Sequence, residues 1–450
     1  MAFMLTTKEA ADILGVSPQR VIQLIGNGKL SAIRRGNQWF IDEGSVETRL
    51  RTVSKTGGRP RRGHGSHEIR FILMNRQYPV AKVVYDEKHK TFSAITEIID
   101  AARAPIGVFG ANRRVTLDAF NNWWRNRGIP STRSRLQELL AEAEAEVPDE
   151  LIMRNLGLSL SDQYWVAPET AGLRWEDINF FHHQFDTTAQ RIAGYNPLSP
   201  ATTHAHPDNT SDGNLQKHWV IENRTRLLLK EGGKLNQEPY NEVVATALCR
   251  RLLQPGEYVT YKLRGTGGDA MSECQCFVSD TEEYIPAHYV EKLLPIRNDE
   301  SYYQHYIACC HALSVPGIEA SLWKMMVCDD IIANTDRHFR NFGLVRNVET
   351  LACRPAPVFD SGTSLWCNTP LSQLKNGEFS FVSKQFEESP ARQMLLVEDM
   401  SWFDSTDLDG FVEEAMDILS TNRLLEERLP YIQSALQRRV DRMRDIRDWM

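Results

Sequence analysis

Cysteine is missing from the first 248 residues, and the eight that follow include no CxxC pair and no regular framework. That excludes a disulfide scaffold and a cysteine-based zinc site, and points to reduced thiols in a cytoplasmic protein. No apolar stretch approaches the ~20 residues needed to cross a bilayer, so no membrane association is expected. The start, Met1 to Thr6, lacks a cationic region and a long apolar core, so no signal peptide is expected either. No GxxxxGK[ST] segment occurs, which argues against a P-loop fold. What remains is a chain of 450 residues, 42% hydrophobic and 25% charged. It is too long for one hydrophobic core, and two or three domains are expected.

Charge is divided unevenly along it. Residues 1–70 carry 12 Lys plus Arg against 6 Asp plus Glu, a net of +6, so the other 380 carry −13 of the total −7. A small basic head on an acidic body suggests that the head meets a polyanion.

Residues 6–47 read as that head. Thr6 or Thr7 can cap a helix bearing Ala10, Ala11, Ile13 and Leu14, ended by Gly15. Ser17 and Pro18 start a second helix with Val21, Ile22, Leu24 and Ile25 on its apolar face. Strands over Leu30–Arg34 and Gln38–Ile41 flank a turn at Arg35-Gly36-Asn37, and Asp42 can cap a further helix. Helix, turn, helix and wing place the second helix in a major groove. Its Gln19, Arg20 and Gln23 suit bases or phosphate, and Lys29, Arg34 and Arg35 suit phosphate. The stretch LTTKEAADILGVSPQRVIQLIGNGKLSAIRRGNQWFID resembles the excisionase and MerR-like DNA-binding domains. A protein-interaction module of the same fold is the alternative.

Residues 49–70 hold seven Lys or Arg against Glu68 alone, interleaved with glycines, and read as a linker. The segment Lys55-Thr56-Gly57-Gly58-Arg59-Pro60-Arg61-Arg62 is similar to an AT-hook, with Arg59 and Arg61 in an A·T minor groove. A plain basic linker that adds phosphate contacts accounts for it equally. Beyond it, strand-like runs at Ile69–Met74 and Val80–Tyr85 and helices bearing Trp123 and Trp124 read as a connecting domain, with the tryptophans packing.

The acidic body carries the chemistry. In Ile331 to Gly343 an apolar helix ends in a polar loop, Asn334-Thr335-Asp336-Arg337-His338-Phe339-Arg340-Asn341. Asp360 follows nineteen residues after Asn341, in Val358-Phe359-Asp360-Ser361-Gly362. Phosphoryl transfer from ATP needs a carboxylate to orient the attacking hydroxyl and oxygen ligands for Mg²⁺. Asp336, Asn341 and Asp360 can divide those tasks.

The loop N-x-D-R-H-x-x-N-F-G with the later Asp-Ser-Gly resembles HipA-type serine/threonine kinases, over residues 195–400. The resemblance implies Asp336 as catalytic base and Asn341 and Asp360 as Mg²⁺ ligands. It implies that Arg337 and His338 shape the site or meet phosphate. Through the order Leu-Leu-Lys strand then Asn-Glu helix, it implies Lys230 on the ATP phosphates and Glu242 as its partner, with Lys217, Lys234 and Lys262 as competitors. Ser211, Gly213 and Asn214 fall in the family's phosphate-covering loop, with Thr210 and Ser211 as possible autophosphorylation sites. Cys276 falls where the hinge meets adenine, and Cys274 and Cys276 read as strand neighbours on opposite faces. From Leu408 onward the chain reads as helices, the last an Arg-rich one with exposed ion pairs.

The expected fold class is α+β: a winged helix-turn-helix head (1–50), an AT-hook-like linker (51–67), a connecting domain (68–170), and a two-lobed protein-kinase-like body. That body comprises an N-lobe (171–295) and a helical C-lobe (296–450). The expected function is an ATP and Mg²⁺ dependent serine/threonine kinase, toxin-like and growth-regulating, that binds its own promoter DNA through the head. Its protein substrate, by the resemblance, is a translation factor such as an aminoacyl-tRNA synthetase, and a homodimer suits the operator. A transcription regulator with a non-catalytic kinase-like sensor, or a small-molecule or lipid kinase, stands as the alternative.

Overall fold

The computed structural model describes residues 4–14, 21–22, 24–25, 29–35, 38–42, 44–46, 68–108, 116–130, 140, 145, 147–195, 198, 205–210 and 215–447. The chain divides into two compact units, Met1–Ser66 and His67–Met450.

In the first unit, β1 (Met4–Thr6) leads into α1 (Thr7–Leu14), followed by β2 (Ala32–Arg35) and β3 (Gln38–Asp42). The antiparallel order is β1-β3-β2, with Leu5 opposite Ile41 and Ile33 opposite Phe40. Ala10, Ala11, Val21, Leu24, Leu30, Ile41 and Val46 form its core. The wing and first helix were expected; β1 was not, because three residues carry no alternation that sets them apart from a helix lead-in. Asp42 caps as expected, its Oδ2 accepting from the Ser45 amide at 2.9 Å.

Among the described residues, the second unit contains three antiparallel sheets. β4 (Glu68–Asn75), β5 (Tyr78–Asp86), β6 (Thr91–Ile98) and β7 (Tyr164–Pro168) pair in the order β6-β5-β4-β7. Helix α2 (Leu117–Arg125), capped by Thr116, lays Phe120 and Trp124 on Phe92, with ring centroids 5.0 and 5.2 Å away. The tryptophan pair is buried core, as its apolar spacing predicted.

The second sheet holds β8 (Lys217–Glu222), β9 (Thr225–Lys230), β10 (Tyr261–Arg264) and β11 (Met271–Gln275), in the order β10-β11-β9-β8. Between β9 and β10 runs α3 (Glu238–Leu252), whose Tyr240, Val244 and Leu248 are fully buried. The third sheet, β12 (Glu282–Pro286), β13 (Gly343–Asn347) and β14 (Cys353–Pro355), brackets two helices, α4 (Tyr302–Ala312) and α5 (Ile318–Ile331). Leu322, Met325, Met326 and Val327 bury α5 on more than one face. The chain closes with α6 (Phe411–Ser420) and α7 (Leu429–Arg447).

Helix α7 carries exposed ion pairs as expected, Arg444 with Asp409 and Asp441, but two of its arginines depart from that reading. Arg439 and Arg442 turn to the buried Asp330 of α5, whose carboxylate is paired by both.

The N-terminal sheet is tied into the rest of this unit by a buried ion pair. Arg346 on β13 donates to Glu283 on β12 at 2.6 Å and to the Tyr164 hydroxyl of β7 at 2.6 Å. Asn75 at the end of β4 donates to the other Glu283 oxygen at 2.7 Å. Burial pushes the Glu283 carboxyl upward against the pull of Arg346.

Candidate active site

The catalytic-loop geometry starts at the end of α5. Ala333 takes a left-handed φ of 52°, and the Asn334 amide turns back to the Asp329 carbonyl at 2.9 Å. The Asn334 side chain donates to Asp329 Oδ1 at 2.8 Å and accepts from the Asp336 amide at 3.0 Å, which fixes the direction of Asp336. Five residues on, Asn341 Nδ2 donates to the Asp336 carbonyl at 2.8 Å. That bond leaves Asn341 Oδ1 available to a cation.

Asp360 follows a strained turn of its own, with φ at +56°. Its neighbour Gly362 lies so close to α3 that a Cβ there would sit 3.2 Å from the Glu238 carbonyl. The Asn241 side chain holds this turn by donating to the carbonyls of Gly362 and Ser364, each at 2.8 Å. The turn is joined to the catalytic loop through Thr335, whose amide donates to the Thr363 carbonyl at 3.0 Å.

Strand β9 delivers Lys230 to this point. Its ammonium donates to Glu242 Oε1 at 2.9 Å, to Asp360 Oδ1 at 2.7 Å and to the Tyr261 hydroxyl at 3.3 Å. Burial alone would strip the lysine of its proton, but Asp360 and Glu242 outweigh it and hold the ammonium well above its usual range. Burial likewise works against the Asp360 carboxylate, and Lys230 and Lys217 overcome it, leaving the group well below the usual carboxylate range. Lys217 faces Lys230 across the β8–β9 ladder. The competitor Lys262 is committed elsewhere, to Glu273 at 2.8 Å, and Lys234 is exposed.

These groups share one cleft of about 650 Å³, lined by Lys230, Glu242, Asp336, His338, Asn341 and Asp360 among others. Phe277, Tyr284 and Phe359 also line it, Tyr284 edge to face with both phenylalanines and those two tilted at 32°, with centroids 5.2 to 5.6 Å apart. Mg²⁺ fits the donor set. Asn341 Oδ1 and Asp360 Oδ2 accept no hydrogen bond from the described residues, and this ion is ordinarily bound by one or two protein oxygens plus phosphate and water. Among the described residues no group of three or more His, Cys, Asp or Glu side chains is arranged to hold a metal unaided.

Four expectations are corrected. Arg337 does not meet phosphate: it is completely buried and donates to both oxygens of Asp329, to the Asn341 and Phe359 carbonyls and to Ser361 Oγ. Thr210 does not present a hydroxyl for modification, because it is buried and donates to the Leu158 and Pro207 carbonyls. The Cys276 amide is not free for adenine, since it donates to the Arg226 carbonyl at 2.9 Å. Cys274 and Cys276 also line the same cleft rather than opposite faces, as side chains two apart on extended backbone do. Burial pushes their thiols up to about 11 and about 12.

Two further groups in the cleft went unread. Tyr261, which touches Lys230, and Lys384, whose Nζ lies 2.8 Å from Asp336 Oδ1, belong to no recognisable motif. Ser211, Gly213 and Asn214 lie outside the described residues, as do Gln19, Arg20, Gln23, Arg59 and Arg61 of the head and linker. Lys29 and Arg34 are exposed on the first unit, and Arg34 stacks over Trp39 at 5.7 Å. Arg35 ends β2 opposite Gln38.

Residues 4–54 match the family model described as a helix-turn-helix domain. The chain carries a helix-turn-helix domain at its N-terminus. No curated protein sequence matches this chain. Among solved structures, the chain is similar to the Helicobacter pylori proinflammatory kinase CtkA. Identity is 14% over 53% of this chain and 97% of that one, with a TM-score of 0.39. It is also similar to a Shewanella oneidensis MR-1 toxin–antitoxin complex of HipA, HipB and operator DNA. There identity is 12% over 83% of this chain and 97% of that one, with a TM-score of 0.47. Among the described residues no helix is long and apolar enough to cross a membrane.

Proposed function

We propose that the second unit is an ATP and Mg²⁺ dependent serine/threonine protein kinase of HipA type, and that the helix-turn-helix domain binds the promoter DNA of its own gene. The observation that carries the kinase reading is the Lys230 ammonium held between Glu242 and Asp360, in the cleft that also holds Asp336 and Asn341. Buried charged groups with shifted proton affinities gathered in one cleft are characteristic of functional sites. Asn341 and Asp360 would hold Mg²⁺, which supplies charge neutralisation to the phosphates when bound. Lys230 orients the phosphates, and Glu242 keeps Lys230 extended toward them. Asp336 accepts the hydroxyl proton of the acceptor side chain. Arg337 keeps the loop in register by tying Asp329 to the Phe359 carbonyl and Ser361.

The DNA reading rests on the basic balance of residues 1–70 and on the exposed Lys29 and Arg34.

Incubation of the full chain with labelled ATP and Mg²⁺, beside Asp336→Ala, tests the enzyme. Label on the protein itself or on one band of a cell extract, absent with the variant, is expected. A translation factor such as an aminoacyl-tRNA synthetase is the expected band. No transfer by the wild type to itself or to any extract protein would overturn the reading in favour of a non-catalytic sensor.

A further inference from the structure

Lys384 sits in a segment without regular structure, between helices that end at Lys375 and resume at Pro390. The segment is nonetheless pinned on both sides of the lysine. The Ser383 amide donates to the Glu388 carbonyl at 3.0 Å, and Ser383 is buried. Gln385, also buried, donates to Asp329 Oδ2 at 2.7 Å. Phe386 packs against Tyr303, Tyr306, Phe339 and Phe342 at centroid distances of 5.2, 6.0, 5.6 and 5.7 Å. Only Lys384 between them is half exposed, with its ammonium in the cleft on Asp336.

Asp329 is the common anchor. The same buried carboxylate receives Arg337, from the loop that carries Asp336, and Gln385, from the segment that carries Lys384. The Asp336–Lys384 pair is therefore set from both sides by one group. A half-exposed ion pair contributes little to folding. A lysine brought to a candidate base by two ordered neighbours calls for a role in the cleft.

Resting on the phosphotransfer reading, we propose that Lys384 is a second phosphate-binding lysine, its ammonium meeting the terminal phosphate of ATP beside Asp336. Lys230 is buried and shared by two carboxylates, whereas Lys384 is half exposed with one carboxylate partner, and can exchange Asp336 for phosphate oxygens. In the transfer, the acceptor oxygen bonds the terminal phosphorus as the bond to the bridging oxygen breaks. ADP departs with that electron pair, and the hydroxyl proton passes to Asp336. Lys384 stays protonated and faces the charge on the transferred group.

Full-length wild type, Lys384→Gln and Lys384→Arg are compared by calorimetric titration with ATP and with ADP in Mg²⁺, and by single-turnover transfer. Lys384→Gln is expected to weaken ATP binding about tenfold while leaving ADP binding unchanged. Its transfer rate should fall by about a hundredfold. Lys384→Arg should restore most of the preference for ATP over ADP. Equal changes for both nucleotides, or none, would overturn the assignment, and a faster Lys384→Gln would mark Lys384 as a plug on Asp336. Wild type that binds neither nucleotide would instead sink the phosphotransfer reading beneath it.

Discussion

The Lys230 ammonium lies 2.7 Å from the Asp360 carboxylate, although 130 residues separate them. The same ammonium reaches Glu242, so one cation serves two carboxylates in a largely buried setting. Lys230→Met leaves those carboxylates without it, and a loss of about 3 kcal/mol of folding stability is expected. Adding Glu242→Gln removes one of the stranded charges and should recover part of the loss. Urea denaturation of the wild type, both single variants and the double variant reads the coupling. Additive single effects would show that the three groups do not act as a unit.

Acid should attack the same place. The Asp360 carboxyl is held below its unfolded value of about 3.9. The unfolded chain therefore takes up this proton first as pH falls. The stabilisation is complete above about pH 4 and drains away as pH drops toward the lower folded value. Asp360→Asn removes that contribution to the slope. Unfolding free energies measured between about pH 2.5 and 6 should fall less steeply in the variant, and identical slopes would refute the assignment.

Arg337→Lys keeps a charge but cannot reproduce a planar fork that serves Asp329, two carbonyls and a serine. A loss of about 3 kcal/mol is expected from the buried Asp329 left short of partners. Because Arg337 lies behind the loop, ATP affinity should hold while kcat falls. A selective loss of ATP affinity would return Arg337 to the phosphates.

On the helix-turn-helix domain, Arg34→Ala should weaken binding to the gene's upstream DNA. The salt dependence of log K should flatten by about one, the signature of one phosphate contact. Mobility-shift titrations at several salt concentrations read it. An unchanged slope would place Arg34 away from the backbone.

Much of this site is legible in sequence because its parts are local patterns. The strand ending in Lys230, the helix bearing Glu242, and the spacing of Asp336, Asn341 and Asp360 each fit within a short window, and β9 does end at Lys230 with Glu242 near the start of α3. What escaped depends on distant partners. Arg337 reads as a loop cation until Asp329, eight residues back, is seen to face it. Lys384 has no motif at all, because its position is set by Gln385 and Phe386 packing on residues far away in the chain. The Cys276 amide looked available only because strand pairing to Arg226 is a long-range event. The N-terminal sheet showed two of its strands, while the closing strand β7 joins β4 from about ninety residues downstream.

The buried Arg346–Glu283 pair bears on how such a chain can be assembled from parts. Because Tyr164 and Asn75 complete that pair from β7 and β4, a cut near residue 170 would take both hydrogen-bonding partners away from the buried ions. A cut near residue 66 falls between the two compact units. A helix-turn-helix head exchanged at that point would leave the contacts within residues 67–450 intact.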